Sequence, residues 1–255
     1  MADIIELRDV YFSAQGNLLV DGVSLAFPEG QAAALVGPSG GGKSTVLKLA
    51  AGLCIPSRGE VFFRGTALGR MSRQENLAFR KEAAFVFQDS ALWANQSLLQ
   101  TLELPLRLHF PEMGERERKR RVMEVAGEVG YRRELGIRPA GLSMGEQKLV
   151  AFARSLVLRP DLLFLDEWTE SLDEKSADRL VEIVRRMKES GSTVIFVSHD
   201  PRIVLKLADR VILVSGGRVS ELLSKEELDS AGFHSSNRDE DLLRLMETGE
   251  TRESA

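Results

Sequence analysis

One nine-residue segment limits the folds open to this chain more than any other feature. It follows the apolar run 32–36, precedes a helical pattern, and fits GxxxxGK[ST]. Its residues are Gly37, Pro38, Ser39, Gly40, Gly41, Gly42, Lys43, Ser44 and Thr45. Glycines let backbone N–H groups turn toward phosphate oxygens, and the following helix N-terminus adds a positive end. The lysine of this pattern reaches the β- and γ-phosphates, and the serine ligates Mg²⁺. The segment, called the phosphate loop below, therefore predicts a nucleoside-triphosphate site; a plain glycine-rich connection is the alternative.

Two acids end another apolar run. Asp166 and Glu167 directly follow residues 162–165. Asp166 is suited to hold Mg²⁺, and Glu167 is suited to orient or deprotonate an attacking water. The alternative is an acid pair at a helix N-terminus, which the helix dipole favours. Gln88 and His199 also directly follow apolar runs, so we expect all these residues at one sheet edge, where open α/β sheets bind ligands.

The order of the apolar runs predicts the fold class. Runs without polar alternation suit strands that are covered on both faces, and helical patterns separate them. The predicted strands are Ala32–Val36, Ala83–Phe87, Leu162–Leu165 and Thr193–Val197. This is an α/β pattern with a mostly parallel core sheet. We also expect an antiparallel β part in residues 1–30, an inserted helical subdomain over about 89–158, a helix over 173–189 and a hairpin over 210–222.

Composition narrows the possibilities further. The chain has 34 basic and 38 acidic residues, but residues 226–255 alone contain nine acids against three bases. We therefore expect a main domain over 1–225 with a net charge of +2, and a separate acidic tail over 226–255. The tail is either partly disordered or a short docking helix around 242–246. A single Cys excludes an internal disulfide, and the sequence shows neither a secretory signal nor an apolar run of membrane-spanning length.

The motifs together resemble those of the ATP-binding cassette ATPases. Besides the phosphate loop and Asp166-Glu167, the resemblance rests on Gln88, on the signature segment 142–147 (LSMGEQ), on the loop 169–173 and on His199. It covers about residues 3–225 and implies a P-loop NTPase of ABC type that binds ATP and Mg²⁺ and hydrolyses ATP.

The resemblance also implies roles for individual residues. Glu167, His199 and Gln88 would be catalytic, and Ser44, Gln88 and Asp166 would hold the metal. Tyr11 stands where the family stacks an aromatic ring on adenine, although it could also be an ordinary edge-strand aromatic. The family forms head-to-tail dimers in which each ATP lies between one copy's phosphate loop and the other copy's signature. The nucleotide-binding residues implied outside the phosphate loop are Tyr11, Ser143, Gly145 and Asp173.

Several residues depart from the family pattern. Met144 and Glu146 stand where the usual LSGGQ signature has glycine and glutamine, and Trp168 replaces the proline after the catalytic glutamate. Glu146 would bring a negative charge near a γ-phosphate, from which we hypothesise a weaker ATP-closed dimer. Ser143 and Glu146 also form an S-x-x-E capping box, so a structural role is available. Because the residues of the hydrolytic site are intact, we expect ATP hydrolysis to survive, at a rate that Met144, Glu146 and Trp168 could lower.

Partner and cargo are expected from the family surface around Gln88. The run from Gln88 to Leu106 would contact a separate membrane permease and is similar to that of Mla-type phospholipid-transport cassettes. Amino-acid import, lipoprotein release and a soluble ABC ATPase without a permease are the alternatives. Cassettes that act on nucleic acid need long insertions between phosphate loop and signature, which are absent between Ser44 and Leu142. We therefore expect a cytoplasmic protein, peripheral on the inner face of the cell membrane, with no membrane span and no nucleic-acid partner.

Overall fold

A computed structural model describes residues 2–224, 227, 242, 244 and 246–248. Over this part of the chain it contains ten strands and seven α-helices. The strands are β1 (Asp3–Ala14), β2 (Asn17–Pro28), β3 (Ala32–Val36), β4 (Arg58–Phe63), β5 (Thr66–Ala67), β6 (Ala83–Val86), β7 (Leu162–Asp166), β8 (Thr193–Val197), β9 (Arg210–Ser215) and β10 (Arg218–Ser224). The helices are α1 (Lys43–Ala50), α2 (Arg73–Glu82), α3 (Leu98–His109), α4 (Glu115–Glu128), α5 (Met144–Leu156), α6 (Glu174–Glu189) and α7 (Pro201–Leu207).

The strands form two sheets of different character. The first has the order β2-β1-β4-β5 and is antiparallel throughout. The second has the order β10-β9-β3-β8-β7-β6, in which all neighbours are parallel except the β9–β10 hairpin. The predicted α/β class, with a mostly parallel core sheet and an antiparallel N-terminal part, is therefore confirmed.

The parallel strands lie close to their predicted positions. β3 and β8 have the predicted bounds, whereas β7 extends one residue further, because Asp166 still pairs with Val197 of β8. β3, β7 and β8 are buried along their whole length. Successive residues of β3 enter different hydrophobic cores, with Ala34 in one and Leu35 in the other. Coverage on both faces explains why these runs show no polar alternation.

The helices cover the parallel sheet from both sides. α1 shares a core with β1 and β2, whereas α5, α6 and α7 contribute to the core on the other side. α3, α4 and α5 follow β6, precede β7 and contact one another, within the range predicted as a helical subdomain. α5 begins at a capping box: the Ser143 hydroxyl accepts from the Glu146 N–H, and the Glu146 carboxylate accepts from the Ser143 N–H.

Part of the predicted tail packs against the main domain. Leu242 and Met246 are helical, are 0% and 3% exposed, and belong to the same core as α5, α6 and α7. Most of the predicted acidic tail lies outside the described residues. No helix in the part of the chain that the structure describes is long and apolar enough to cross a membrane.

Candidate nucleotide site

The phosphate loop connects β3 to α1 and has a backbone that requires glycine. Gly37 and Gly42 have φ values of 133° and 102°, which L side chains rarely adopt. A Cβ atom on Gly37 would lie 2.2 Å from the carbonyl oxygen of Val214, and one on Gly42 would lie 2.9 Å from that of Leu19. The loop is thus held against β9 and β2 so closely that only glycine fits. This cradle matches the close backbone approach that phosphate binding needs.

Lys43 lies over this cradle. Its Nζ donates to the carbonyl oxygens of Gly37 (2.8 Å) and Pro38 (3.0 Å). The side chain is buried, which lowers the pKa of the ammonium, while Glu167 and Asp166 act in the opposite direction. A cation held among loop carbonyls is placed to meet phosphate oxygens. Elsewhere in the loop, Ser39 and Gly40 are exposed, and Ser44 and Thr45 are half-buried on α1.

Ser44 and Asp166 meet although 122 positions separate them. The hydroxyl of Ser44 donates to Oδ1 of Asp166 at 2.7 Å. Asp166 is buried at the end of β7, and this burial raises the pKa of its carboxyl, while the Ser44 hydrogen bond lowers it. Two hard oxygen atoms at one point fit Mg²⁺, which is usually bound by one or two protein oxygens together with substrate phosphates.

Glu167 occupies a strained position directly after β7. Its φ of 44° is in the left-handed region, which costs a non-glycine residue about 1–3 kcal/mol and is common at functional sites. Its N–H donates to the carbonyl oxygen of Val197 at 3.2 Å. Burial, and next the charge of Asp166, raise the pKa of Glu167 to about 7. A carboxylate with this pKa is suited to accept a proton near neutral pH.

His199 follows β8 and contacts Glu167, as the sheet-edge argument predicts. Its Nε2 lies 3.1 Å from Oε1 of Glu167. Burial, and next the charge of Lys43, lower the pKa of His199, which favours a neutral imidazole. Oε1 of Glu167 is buried, so this side of the carboxylate is withdrawn from bulk solvent.

Gln88 lies outside this group of contacts. Its Nε2 donates to Oε2 of Glu170 at 3.1 Å, and no hydrogen bond in the described part of the chain joins it to Ser44 or Asp166. It does line a cavity of about 650 Å³ together with Asp166 and Glu170. The structure thus places Gln88 beside the predicted metal site, with its side chain bonded to the loop after Glu167.

Three residues that sequence reasoning missed hold these loops. Lys148 donates from Nζ to the carbonyl oxygens of Gln88 and Glu167, and Arg154 donates to those of Ser90 and Ala91. The third is Glu170, the partner of the Gln88 side chain. Both cations lie on α5 in an otherwise apolar stretch. A lysine on an apolar helical face was the available signal, because burial of a lysine requires a partner.

The signature segment is ordered locally and lies apart from the phosphate loop. No hydrogen bond or ion pair within the described residues joins Ser143 to the phosphate loop of the same chain. A Cβ on Gly145 would lie 3.0 Å from the carbonyl oxygen of Ser171, so the segment packs against the loop after Glu167. The Glu146 carboxylate, whose charge we expected near a γ-phosphate, pairs with Nη1 of Arg133 at 3.0 Å. This pairing weakens the electrostatic basis of the hypothesised weaker dimer.

The two other predicted nucleotide contacts have structural partners of their own. Tyr11 lies on β1, where the guanidinium carbon of Arg58 is 5.1 Å from its ring centroid. Adenine stacking on Tyr11 stays a prediction, and it would use the other ring face or displace Arg58. Asp173 caps α6 by accepting from the N–H (3.0 Å) and the hydroxyl (2.7 Å) of Ser176. Its nucleotide contact likewise stays a prediction.

Comparison with known proteins agrees with this geometry. The family model of the ABC transporter matches residues 20–170. The chain belongs to the ABC transporter family. This ABC ATPase is 36% identical over 222 residues to the nickel import ATP-binding protein NikE of Brucella abortus (strain 2308), covering 86% of this chain and 83% of that protein. It is 32% identical over 220 residues to the intermembrane phospholipid transport system ATP-binding protein MlaF of Escherichia coli (strain K12), covering 86% and 81%.

A solved structure extends the comparison to the state after hydrolysis. The dimeric ATP-binding cassette MJ0796, bound to ADP and Pi, matches with a TM-score of 0.81 and 28% identity over 87% of this chain and 98% of that one. The predicted P-loop NTPase fold of ABC type is therefore confirmed. The chain is an ABC-type ATP hydrolase, and its phosphate-loop cradle and Ser44–Asp166 pair fit the binding of ATP.

Proposed function

We propose that this chain is the ATP-binding and ATP-hydrolysing subunit of a transporter and powers a separate membrane permease as a head-to-tail dimer. The observation that carries the hydrolytic part is the meeting of Lys43, the Ser44–Asp166 pair and Glu167 beyond the carboxyl ends of β3 and β7, two parallel strands with β8 between them. Elements far apart in the sequence thus bring together at one sheet edge the residue types that phosphoryl transfer needs.

Each residue then has a definite task. The loop N–H groups and Lys43 bind the phosphates and offset their charge. Ser44 and Asp166 would hold Mg²⁺, which when bound neutralises phosphate oxygens. Glu167 accepts a proton from water as the water oxygen attacks the γ-phosphorus, and ADP leaves with the electrons of the broken P–O bond. His199 contacts Glu167 and holds the carboxylate toward the site.

The position of the signature segment supports the dimer. Among the described residues, no hydrogen bond joins Ser143 or Gly145 to the phosphate loop of the same chain, which supports a second copy that brings its signature to the nucleotide. The dimeric MJ0796 cassette is a relative of the same fold.

Glu167→Gln removes the base and should trap an ATP-bound dimer without turnover. Light scattering after gel filtration should show a dimer with ATP and a monomer without it; a monomer under both conditions contradicts the proposed dimer.

The exposed apolar residues near Gln88 support a permease contact between Gln88 and Leu106. Trp93 is 45% exposed, and Leu104 on α3 is also exposed. Leu92 is partly buried against the core, so only part of this run packs in the protein interior. A permease docked here would place the protein on the cytoplasmic face of the membrane as a peripheral subunit.

For the cargo we propose phospholipid. Support comes from the likeness to MlaF and from the resemblance of the run from Gln88 to Leu106 to that of phospholipid-transport cassettes. The likeness to the nickel import protein NikE makes nickel the second candidate. An experiment can distinguish the two cargoes. The transporter complex is purified through the tagged Glu167→Gln chain, and the same complex is then reconstituted with the parent chain. ATP-dependent transfer of a fluorescent phospholipid is expected, whereas ATP-dependent uptake of radioactive nickel without lipid transfer would overturn the proposal.

The hydrolytic assignment has its own test. Glu167→Gln should bind a fluorescent ATP analogue as the parent does and lose turnover by two orders of magnitude or more, since general bases contribute about 10²–10⁴-fold. Glu174→Gln, at an exposed position on α6, is the matched control and should keep parental turnover. Turnover retained in Glu167→Gln would remove this residue from its assigned role.

A further inference from the structure

Lys148 is a buried cation that the mechanism above does not use. Its side chain lies in the second turn of α5 and the residue is only 3% exposed. Burying an ammonium is costly unless its donors are satisfied. No carboxylate lies within ion-pair distance of Nζ among the described residues, and both of its partners are main-chain carbonyls. A lysine kept in such a place is expected to have a task beyond packing.

The two carbonyls belong to the two loops that flank the hydrolytic site. One is that of Gln88, just after β6, and the other is that of Glu167, just after β7, at 3.2 Å from Nζ. The carbonyl of Glu167 belongs to the residue whose backbone is in the left-handed conformation. Holding this oxygen therefore holds the strained backbone on which the Glu167 carboxylate is mounted.

The side chain of Gln88 is held as well. Its main-chain oxygen accepts from Lys148, and its amide donates to Glu170. The Glu170 carboxylate thereby connects the Gln88 side chain to the loop after Glu167. Burial lowers the pKa of Lys148, whereas the charges of Glu170, Asp166, Glu167 and Asp89 oppose this and favour the ammonium.

We propose that Lys148 is a positioning residue of the ATPase, which fixes the Gln88 loop and Glu167 relative to each other and to the signature helix α5. The proposal rests on the proposed function of Glu167 as the base. Ser143 caps the start of α5 five positions before Lys148, so this one side chain ties the first turns of the signature helix to both loops.

Lys148→Met tests this assignment, since methionine keeps an unbranched apolar chain and removes the donors. We expect kcat to fall at least tenfold. The Kd of a fluorescent ATP analogue should stay within twofold, because the phosphate loop does not contact Lys148. Lys148→Gln, which retains N–H donors without the charge, should recover part of the loss. Lys206→Met, at an exposed position on α7, is the control and should match the parent.

Hydrogen exchange gives a readout that is independent of turnover. In Lys148→Met without nucleotide, amides in 87–92 and 166–171 should exchange faster, while those in 37–45 keep the parental rate. Parental exchange in the two loops, or parental kcat, would overturn the positioning role. Equal acceleration throughout the chain would also overturn it, because Lys148 would then only support the fold. If the parent itself lacked ATPase activity, the proposed function would fail while the exchange result still decided the contacts of Lys148.

Discussion

Replacement of Glu167 by glutamine should stabilise the protein in a pH-dependent way. The folded state raises the pKa of Glu167 from 4.5 to about 7, so between these values the folded chain retains a proton that the unfolded chain has lost. The contribution of Glu167 to the free energy of unfolding therefore falls as the pH rises from 4.5 to 7 and is constant at higher pH. At about 1.4 kcal/mol per pH unit, the carboxylate costs the folded state about 3 kcal/mol at pH 8. Glutamine carries no such cost.

Urea unfolding of the parent and of Glu167→Gln at several pH values measures this cost. The difference in unfolding free energy should be near zero at pH 4.5, grow between pH 5 and 7, and level off at about 3 kcal/mol by pH 8. The signs follow from burial: an acid whose charged form is desolvated loses stability as it ionises. The Glu174→Gln variant, on the exposed side of α6, should show no such trend.

Two results would refute this reasoning. A pH-independent difference would mean that glutamine changes only packing or hydrogen bonding. A stabilisation that grows as the pH falls would mean that the folded state favours the charged carboxylate, which would make Glu167 unsuitable as a base near neutral pH.

Three further predictions concern the same region. At ATP concentrations well below saturation, kcat/KM should rise about tenfold between pH 6 and 8, because this ratio reports the nucleotide-free enzyme, in which the base form of Glu167 dominates only above its pKa of about 7. A flat profile contradicts this, and His199→Gln should leave the midpoint in place. Trp168→Ala removes a fully buried ring that stacks on Phe152 at 5.5 Å, and should lower the unfolding free energy by about 3–5 kcal/mol. Ser143→Ala breaks the α5 cap and should cost about 1 kcal/mol in the same urea assay.

The local patterns of the sequence predicted the strands and the chemistry at their ends. The phosphate loop has a fixed spacing, because its glycines and Lys43 act on one ligand within a single turn. Asp166 and His199 could be placed at the sheet edge because parallel strands covered on both faces give uninterrupted apolar runs. The capping box at Ser143 was likewise readable, since its two partners are three positions apart.

The strand ends were less predictable than the strands themselves. β7 includes Asp166 only because the ladder with Val197 continues to this residue. Within residues 1–30, where only an antiparallel β part was predicted, β1 and β2 pair from Asp3–Pro28 to Ala14–Asn17, since main-chain pairing does not depend on side-chain polarity.

Sequence by itself thus determined the fold class and the residue types of the hydrolytic site. Tertiary structure decided which charges meet. Lys148 and the Gln88 carbonyl are 60 positions apart, and the Gln88 and Glu170 side chains are 82 positions apart. The motif alone suggested that the Glu146 charge would act on a γ-phosphate, whereas the fold pairs this charge with Arg133. The physical reason is that a local pattern fixes the spacing of residues along one element, whereas hydrogen bonds of side chains depend on which elements the fold brings together.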